Sequence, residues 1–194
     1  SKSDTADFNA SGTTCANAIA TFNTAANLSQ NGFRFYENAN SDLPGSPLAA
    51  QDTNVSLLQR RFRIRILMDN DSSSGTTLAV NGGHWHLQFA TLSGTCAGST
   101  YSDVTNSSTI AFADNPAVAV GANITAIPGS LDPADTTPTA YTTRLENFYD
   151  DINSGGSPPY ITNAQLTIAA VQAGLWDFSL IDNTATNTPI TYCL

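Results

Sequence analysis

The chain has 194 residues, 41% of them hydrophobic and only 12% charged, with a formal net charge of −9. One domain of this length can bury a core without staples, and the charge balance excludes a nucleic-acid backbone binder, which needs clustered Lys and Arg; Lys2 is the sole lysine. No apolar run approaches the roughly 20 residues that cross a bilayer, and Ser, Thr, Asn, Ala and Gly stand where charge stands in an average soluble protein, which favours an extracellular or assembled protein over a cytosolic enzyme.

Residues 1–30 are polar and rich in Ala, Asn and Thr, with Phe8 as an isolated aromatic. In CANAIATF, Ala16, Ala18, Ala20 and Phe22 share one parity. The stretch reads as an extended N-terminal arm that orders on docking, with a short helix as the competing form. Residues 31–194 form the single domain.

From residue 31 the pattern is that of strands. NGFRFYEN sets Phe33 and Phe35 on one face and Arg34 and Tyr36 on the other; NSDLPGSP then turns the chain. RRFRIRILM is the cleanest strand, predicted to turn Phe62, Ile64, Ile66 and Met68 inward and Arg61, Arg63 and Arg65 outward. NDSSSG is a turn, TLAV a weak strand, and HWHLQFA a strong one with Trp85, Leu87 and Phe89 on one face. YSDVT and STIAFA follow. Residues 114–140, rich in Pro, Gly and Asp, read as a long loop or loose excursion. In YTTRLENFYDDI the spacing of Leu145, Phe148 and Ile152 predicts one short helix over 141–152. QLTIAAV and GLWDFSLI return to strands, with Leu175, Asp177 and Ser179 opposite Trp176, Phe178 and Leu180. After DNTATNTP, Ile190, Tyr192 and Leu194 alternate with Thr191 and Cys193 as a buried strand would. Short strands separated by turns, without repeated crossover helices, predict an all-β, antiparallel β-sandwich.

Several residues are candidates for chemistry. Asp69, Asp71 and Ser73, followed by Gly75, set alternating oxygen ligands as in a calcium loop; a hairpin turn has the same composition, and calcium is the one cofactor the residues raise. His84 and His86 share a strand face and could hold zinc or copper, or simply line a solvated face. The Arg61, Arg63 and Arg65 row, with Arg60 before it, fits either an acidic ligand or neighbour, or cross-strand pairing with Asp and Glu. Sequons stand at Asn9, Asn27, Asn54, Asn70, Asn106 and Asn123, a number that an Asn-, Ser- and Thr-rich chain also makes by chance. Asp150, Asp151 and Asp177 are carboxylates without a fixed spacing. Trp85, Trp176, Tyr36 and Tyr149 could stack on sugars or fill the core. No G-x-S-x-G, H-E-x-x-H or P-loop occurs, so no enzyme is expected. The three cysteines, Cys15, Cys96 and Cys193, lack C-x-x-C spacing. In a secreted chain they make one disulfide and one leftover thiol; in a cytosolic chain, three thiols.

NGFRFYENANSDLPGSPLAAQD, RFRIRILMDNDS, LQFATLSGTCAGSTYSDVT, IAFADNPA, LENFYDDI and WDFSLIDNTATNTPITYCL, in that order, resemble an Ig-like β-sandwich module carried in multiple copies by large secreted surface proteins of bacteria. The resemblance implies a Cys96–Cys193 disulfide. It also implies a further strand after T-Y-C, where this sequence ends at Leu194. The expected fold is therefore an Ig-like sandwich that can lack its final strand, with an open edge beside ITYCL. That resembles donor-strand-exchange pilus subunits, in which a neighbour's strand fills the groove. The donor expected here is the arm, around Asp7 to Phe22, with Cys15 inside it as a potential intersubunit thiol. The expectation is an extracellular, self-assembling head-to-tail homopolymer; the alternative is a secreted adhesin module that binds carbohydrate or a host surface.

Overall fold

The computed structural model describes residues 28–55, 60–70, 77–80, 82, 85–129, 131–134, 142–149, 161, 167–184 and 190–194. In chain order the strands are β1 (Leu28–Glu37), β2 (Arg61–Asn70), β3 (Gln88–Thr91), β4 (Ser102–Asp103), β5 (Ile110–Phe112), β6 (Thr142–Tyr149), β7 (Gln172–Asp182) and β8 (Tyr192–Cys193). A one-turn 3₁₀ helix, Cys96–Gly98, stands between β3 and β4. The larger sheet runs β1-β2-β7, and the far side of β7 is shared by β5 at one end and β6 at the other. The smaller sheet runs β4-β3-β8. All pairings are antiparallel except β6 with β7. The all-β sandwich expected from the alternation is the observed fold.

Period-2 alternation explains the core. Phe33 and Phe35 of β1, Phe62, Ile64, Ile66 and Met68 of β2, and Trp176, Phe178 and Leu180 of β7 share one buried face. Trp85, Leu87, Ile161 and Leu194 meet them from the other side. Trp85 and Trp176 pack edge to face with ring centroids 5.2 Å apart. Each such side chain contributes about 1.5–3 kcal/mol on burial. Gly174 makes room for this pair: a Cβ there would sit 2.5 Å from the Trp176 ring and 2.7 Å from Ile168 Cδ1.

The structure departs from the sequence expectations in four places. Residues 142–149 form a strand, not a helix, running parallel to β7; the other positions of the predicted helix lie outside the described residues. The register shifts between Leu145 and Phe148, where three steps along β6 match two along β7. That bulge produces the three-residue spacing read as helical. Arg63 and Arg65 do not face solvent: both are fully buried. The described part of the 114–140 excursion is not loose, because it lies over them. Val118 and Ile124 pack with Leu67, Phe148, Ala173 and Leu175 in a second apolar cluster on the outer face of the larger sheet. Leu28, Ser29 and Gln30, expected in the arm, belong to β1 and pair with Asn70, Asp69 and Met68.

Candidate functional site

The outer face of the larger sheet carries a buried charge cluster. Asp177 on β7 is the Cα partner of Arg65 on β2, with Arg63 two residues along the same face. Arg63 donates from Nε to Asp177 Oδ1 at 2.9 Å and from Nη2 to Oδ2 at 2.6 Å. Arg65 Nε donates to Asp177 Oδ2 at 2.7 Å, and its Nη1 reaches Asp132 Oδ1 at 2.5 Å. The remaining donors clamp loops. Arg63 Nη1 bonds Ser41 C=O at 2.6 Å, and Arg65 Nη1 bonds Thr125 C=O at 2.9 Å. The Arg63 guanidinium also lies 4.7 Å from the centroid of the Phe148 ring. Two cations therefore face two carboxylates, with each guanidinium fork committed. Burial alone would push the Arg65 pKa down; Asp177 and Asp132 outweigh it, and the net shift is upward. Burial, then Asp132, pushes the Tyr36 hydroxyl up, and Tyr36 OH donates to Leu131 C=O at 2.7 Å.

Chemically this cluster is a fastener. It ties 38–43 and 114–134 to the central strands and leaves no guanidinium for an acidic ligand. An amide network beside it does the same: Asn115 Nδ2 donates to Asn38 Oδ1 at 3.0 Å and to Ser179 Oγ at 3.1 Å. Of the two meanings open to the Arg row, cross-strand pairing holds for Arg63 and Arg65. Arg61 is exposed and donates to Asp114 C=O at 2.9 Å. Asp177, bonded by two guanidinium groups, is not an available catalytic acid. Asp132, Asn38 and Asn115 were not singled out in the sequence, and no local spacing marks them. Asp177 stands in the sequence as a candidate carboxylate on the face of Leu175 and Ser179, and nothing local pairs it with Arg65.

The other candidates disperse. Asp69 is a buried strand residue opposite Ala173, and its Oδ2 accepts Asn31 Nδ2 at 2.7 Å. Asp71 and Ser73 lie outside the described residues. Among the described residues no group of three or more His, Cys, Asp or Glu could hold a metal ion. His86 Nδ1 lies 3.5 Å from Asp103 Oδ2, while Gln88 Nε2 donates to Asp103 Oδ1 at 2.8 Å; His84 is outside the described residues. Trp85, Trp176, Tyr36 and Tyr149 are buried, so none offers a face to sugar. Asn54, Asn106 and Asn123 are exposed. Asn70 is buried with its Nδ2 donating to Ile168 C=O at 2.9 Å, which leaves no room for a glycan on that nitrogen. Asn9, Asn27, Cys15, Phe8, Ala16, Ala18, Ala20, Phe22, Asp150 and Asp151 lie outside the described residues.

No family model, curated protein or solved structure matches the chain.

The feature that stands out is β8. Cys193 is bonded to Cys96 across 97 residues of sequence, with Cα atoms 5.6 Å apart, the pairing implied by the resemblance. The disulfide lies with Ala90 and Tyr101 in a small cluster of its own, while Leu194 reaches the inter-sheet core. Ala90 pairs with Cys193 and Thr91 with Tyr192, and Leu92 N–H donates to Thr191 C=O at 2.9 Å. Hydrogen-bonded pairs alternate in an antiparallel ladder, so the N–H and C=O of Tyr192 point away from β3. Nothing among the described residues bonds to them. In the larger sheet the chain itself lies along the edges of β1 and β6. Leu48 N–H bonds Phe35 C=O and Asp52 N–H bonds Phe33 C=O along β1; Gly121 N–H bonds Phe148 C=O along β6. Ile190, 37% exposed, adjoins the uncovered edge.

Ordering the five residues 190–194 costs roughly 5–10 kcal/mol of backbone entropy. Burying Leu194 offsets about 1.5–3 kcal/mol, and each ladder bond about 1 kcal/mol. The disulfide, closing a loop of this length, contributes about 4–5 kcal/mol in the chain-entropy model. That figure is a penalty on the unfolded chain; at β8 the bond acts directly, holding the Cα of Cys193 5.6 Å from that of Cys96.

No helix among the described residues is long and apolar enough to cross a membrane.

Proposed function

We propose that this chain is a structural subunit of an extracellular filament or surface assembly, built by strand donation. The N-terminal arm of one copy, around Asp7 to Phe22, adds to the outward edge of β8 in the next. The observation that carries this reading is the outward N–H and C=O of Tyr192, without a partner among the described residues while loops cover β1 and β6. An uncovered edge is a template for another strand. The 27 residues before Leu28 reach at most about 90 Å when extended, far enough to leave their own domain. The contact is head-to-tail, so copies add without closing. A disulfide within the sandwich fits an oxidising compartment, in keeping with export.

Negative-stain microscopy of the intact protein tests the reading, alongside a variant lacking residues 1–24. The intact chain should form detergent-resistant polymer and the deletion should leave monomer. A deletion variant that still polymerises would refute strand donation. A monomeric intact protein that binds glycans or cells would make it an adhesin module instead.

A further inference from the structure

β8 owns two ladder pairs and one extra backbone bond, and a strand that short does not stand by itself. Beyond its chain connections, β8 is tied covalently to the body of the domain through Cys193. The other end of that tie is held independently of β8. Thr95 Oγ1 accepts Gly98 N–H at 3.2 Å, Ser99 Oγ donates to Thr95 C=O at 2.9 Å, and Ser93 N–H donates to Ser99 Oγ at 3.0 Å. Cys96 thus sits on a self-bonded turn whether or not β8 is docked.

We infer that the Cys96–Cys193 disulfide is a redox switch for assembly: β8 presents its outward edge only in the oxidised protein. The inference rests on the proposed acceptor role of that edge and adds its regulation. In the switching step the two thiols of Cys96 and Cys193 lose two protons and two electrons and form the S–S bond. A disulfide-bearing thiol oxidant accepts both and becomes a dithiol. Before this step no bond ties Cys193 to Cys96, Leu92 N–H lacks its Thr191 acceptor, and a donor strand finds no register. After it, both cysteines are buried, which shields the bond from thiol reductants. The switch therefore turns once, on reaching an oxidising compartment, and copies made in a reducing one stay monomeric.

Hydrogen exchange by NMR on the full chain reads the edge directly, comparing oxidised wild type with Cys96→Ser/Cys193→Ser. In the variant the Leu92 amide should exchange within about tenfold of the unfolded-chain rate. The Val104 amide, which donates to Leu87 C=O on the opposite side of the same strand, should keep its protection, as should the amides of β2. Sedimentation of the same samples should give polymer for wild type and monomer for the variant. A protected Leu92 amide in the variant overturns the inference, and so does a variant that polymerises with that amide exposed. If oxidised wild type is itself monomeric while Leu92 is exposed only in the variant, strand donation fails and the coupling of disulfide to edge stands. If the β2 amides show the variant unfolded in buffer, the comparison is made in sucrose, which strengthens burial.

Discussion

Replacing Asp177 with Asn tests whether the buried cluster fastens the fold. The substitution keeps the side-chain shape and removes one of two negative charges facing Arg63 and Arg65. Asp177 accepts from Arg63 at 2.6 and 2.9 Å and from Arg65 at 2.7 Å. Asp132 remains, but it bonds Arg65 and is the more exposed partner, at 17%. Arg63 is then left buried with only neutral oxygens as its acceptors. Breaking a buried pair in this way costs about 3–5 kcal/mol, and at this chain length that lowers Tm by roughly 10 °C. Urea unfolding followed by Trp fluorescence measures it, with Trp85 and Trp176 reporting the core. The triple variant Arg63→Met/Arg65→Met/Asp177→Leu supplies the control. Removing all three charges should recover most of the loss, because the desolvation cost goes with them; the carbonyls of Ser41 and Thr125 lose their donors, and Asp132, at 17% exposure, loses Arg65 but keeps the Ile127 N–H. A cost below about 1 kcal/mol for Asp177→Asn, or a triple variant no more stable than the single one, would refute the reasoning.

Three further outcomes follow from single positions. Gly174→Ala should cost about 1–3 kcal/mol by forcing the Trp176 ring aside, with a changed near-ultraviolet circular dichroism signal; an unchanged Tm and spectrum would mean that the core yields there. Val171 is 57% exposed and holds φ at +56°, a conformation that a β-branched residue adopts at a cost; Val171→Asn should raise stability by about 1 kcal/mol in the same urea assay, and a loss would show that the valine makes contacts worth more than its strain. The hydrogen bond from Thr125 Oγ1 at 2.6 Å holds the Asp42 carboxyl below its ordinary pKa. A depressed folded-state pKa adds stability above the unfolded value and loses it as pH falls through the folded one, so Thr125→Ala should raise the Asp42 midpoint in an NMR titration and flatten this small acid-side dependence; an unmoved midpoint would remove the hydroxyl as the cause.

Alternation alone located the inward faces of β1, β2 and β7, because one buried face imposes a period of two. Parity does not say what covers the opposite face. Arg63 and Arg65 therefore looked solvated, and the polar, Pro- and Gly-rich 114–134 stretch, which carries no periodicity of its own, gave no sign that it lies across them. Their partner was half visible: Asp177 shares a parity with Leu175 and Ser179, but only the β2–β7 register places it beside Arg65. The 141–152 error has a different origin. A bulge adds one residue to a two-residue repeat, and three is also a helical spacing. The disulfide came from the resemblance, since three cysteines admit more than one pairing. The edge of β8 depended on the register of two residues, which no pattern in ITYCL specifies.

In the proposed filament, tension enters each copy through the arm at Leu28 and leaves through the strand added at β8. The entry side is β1, registered with β2 from Leu28↔Asn70 to Glu37↔Phe62, so a pull along β1 loads many ladder bonds together. β2 passes the load to β7 through nine paired positions, from Arg61↔Ile181 to Asp69↔Ala173, and the shared Asp177 carboxylate crosses this seam. The exit side has only two ladder pairs on β3, which by themselves would yield first. The Cys96–Cys193 bond lies at that weak point and turns a marginal strand into a covalently anchored one. Of the two described strands only two residues long, β4 and β8, β8 is the one that carries the disulfide, and it is the one that the proposed filament would load.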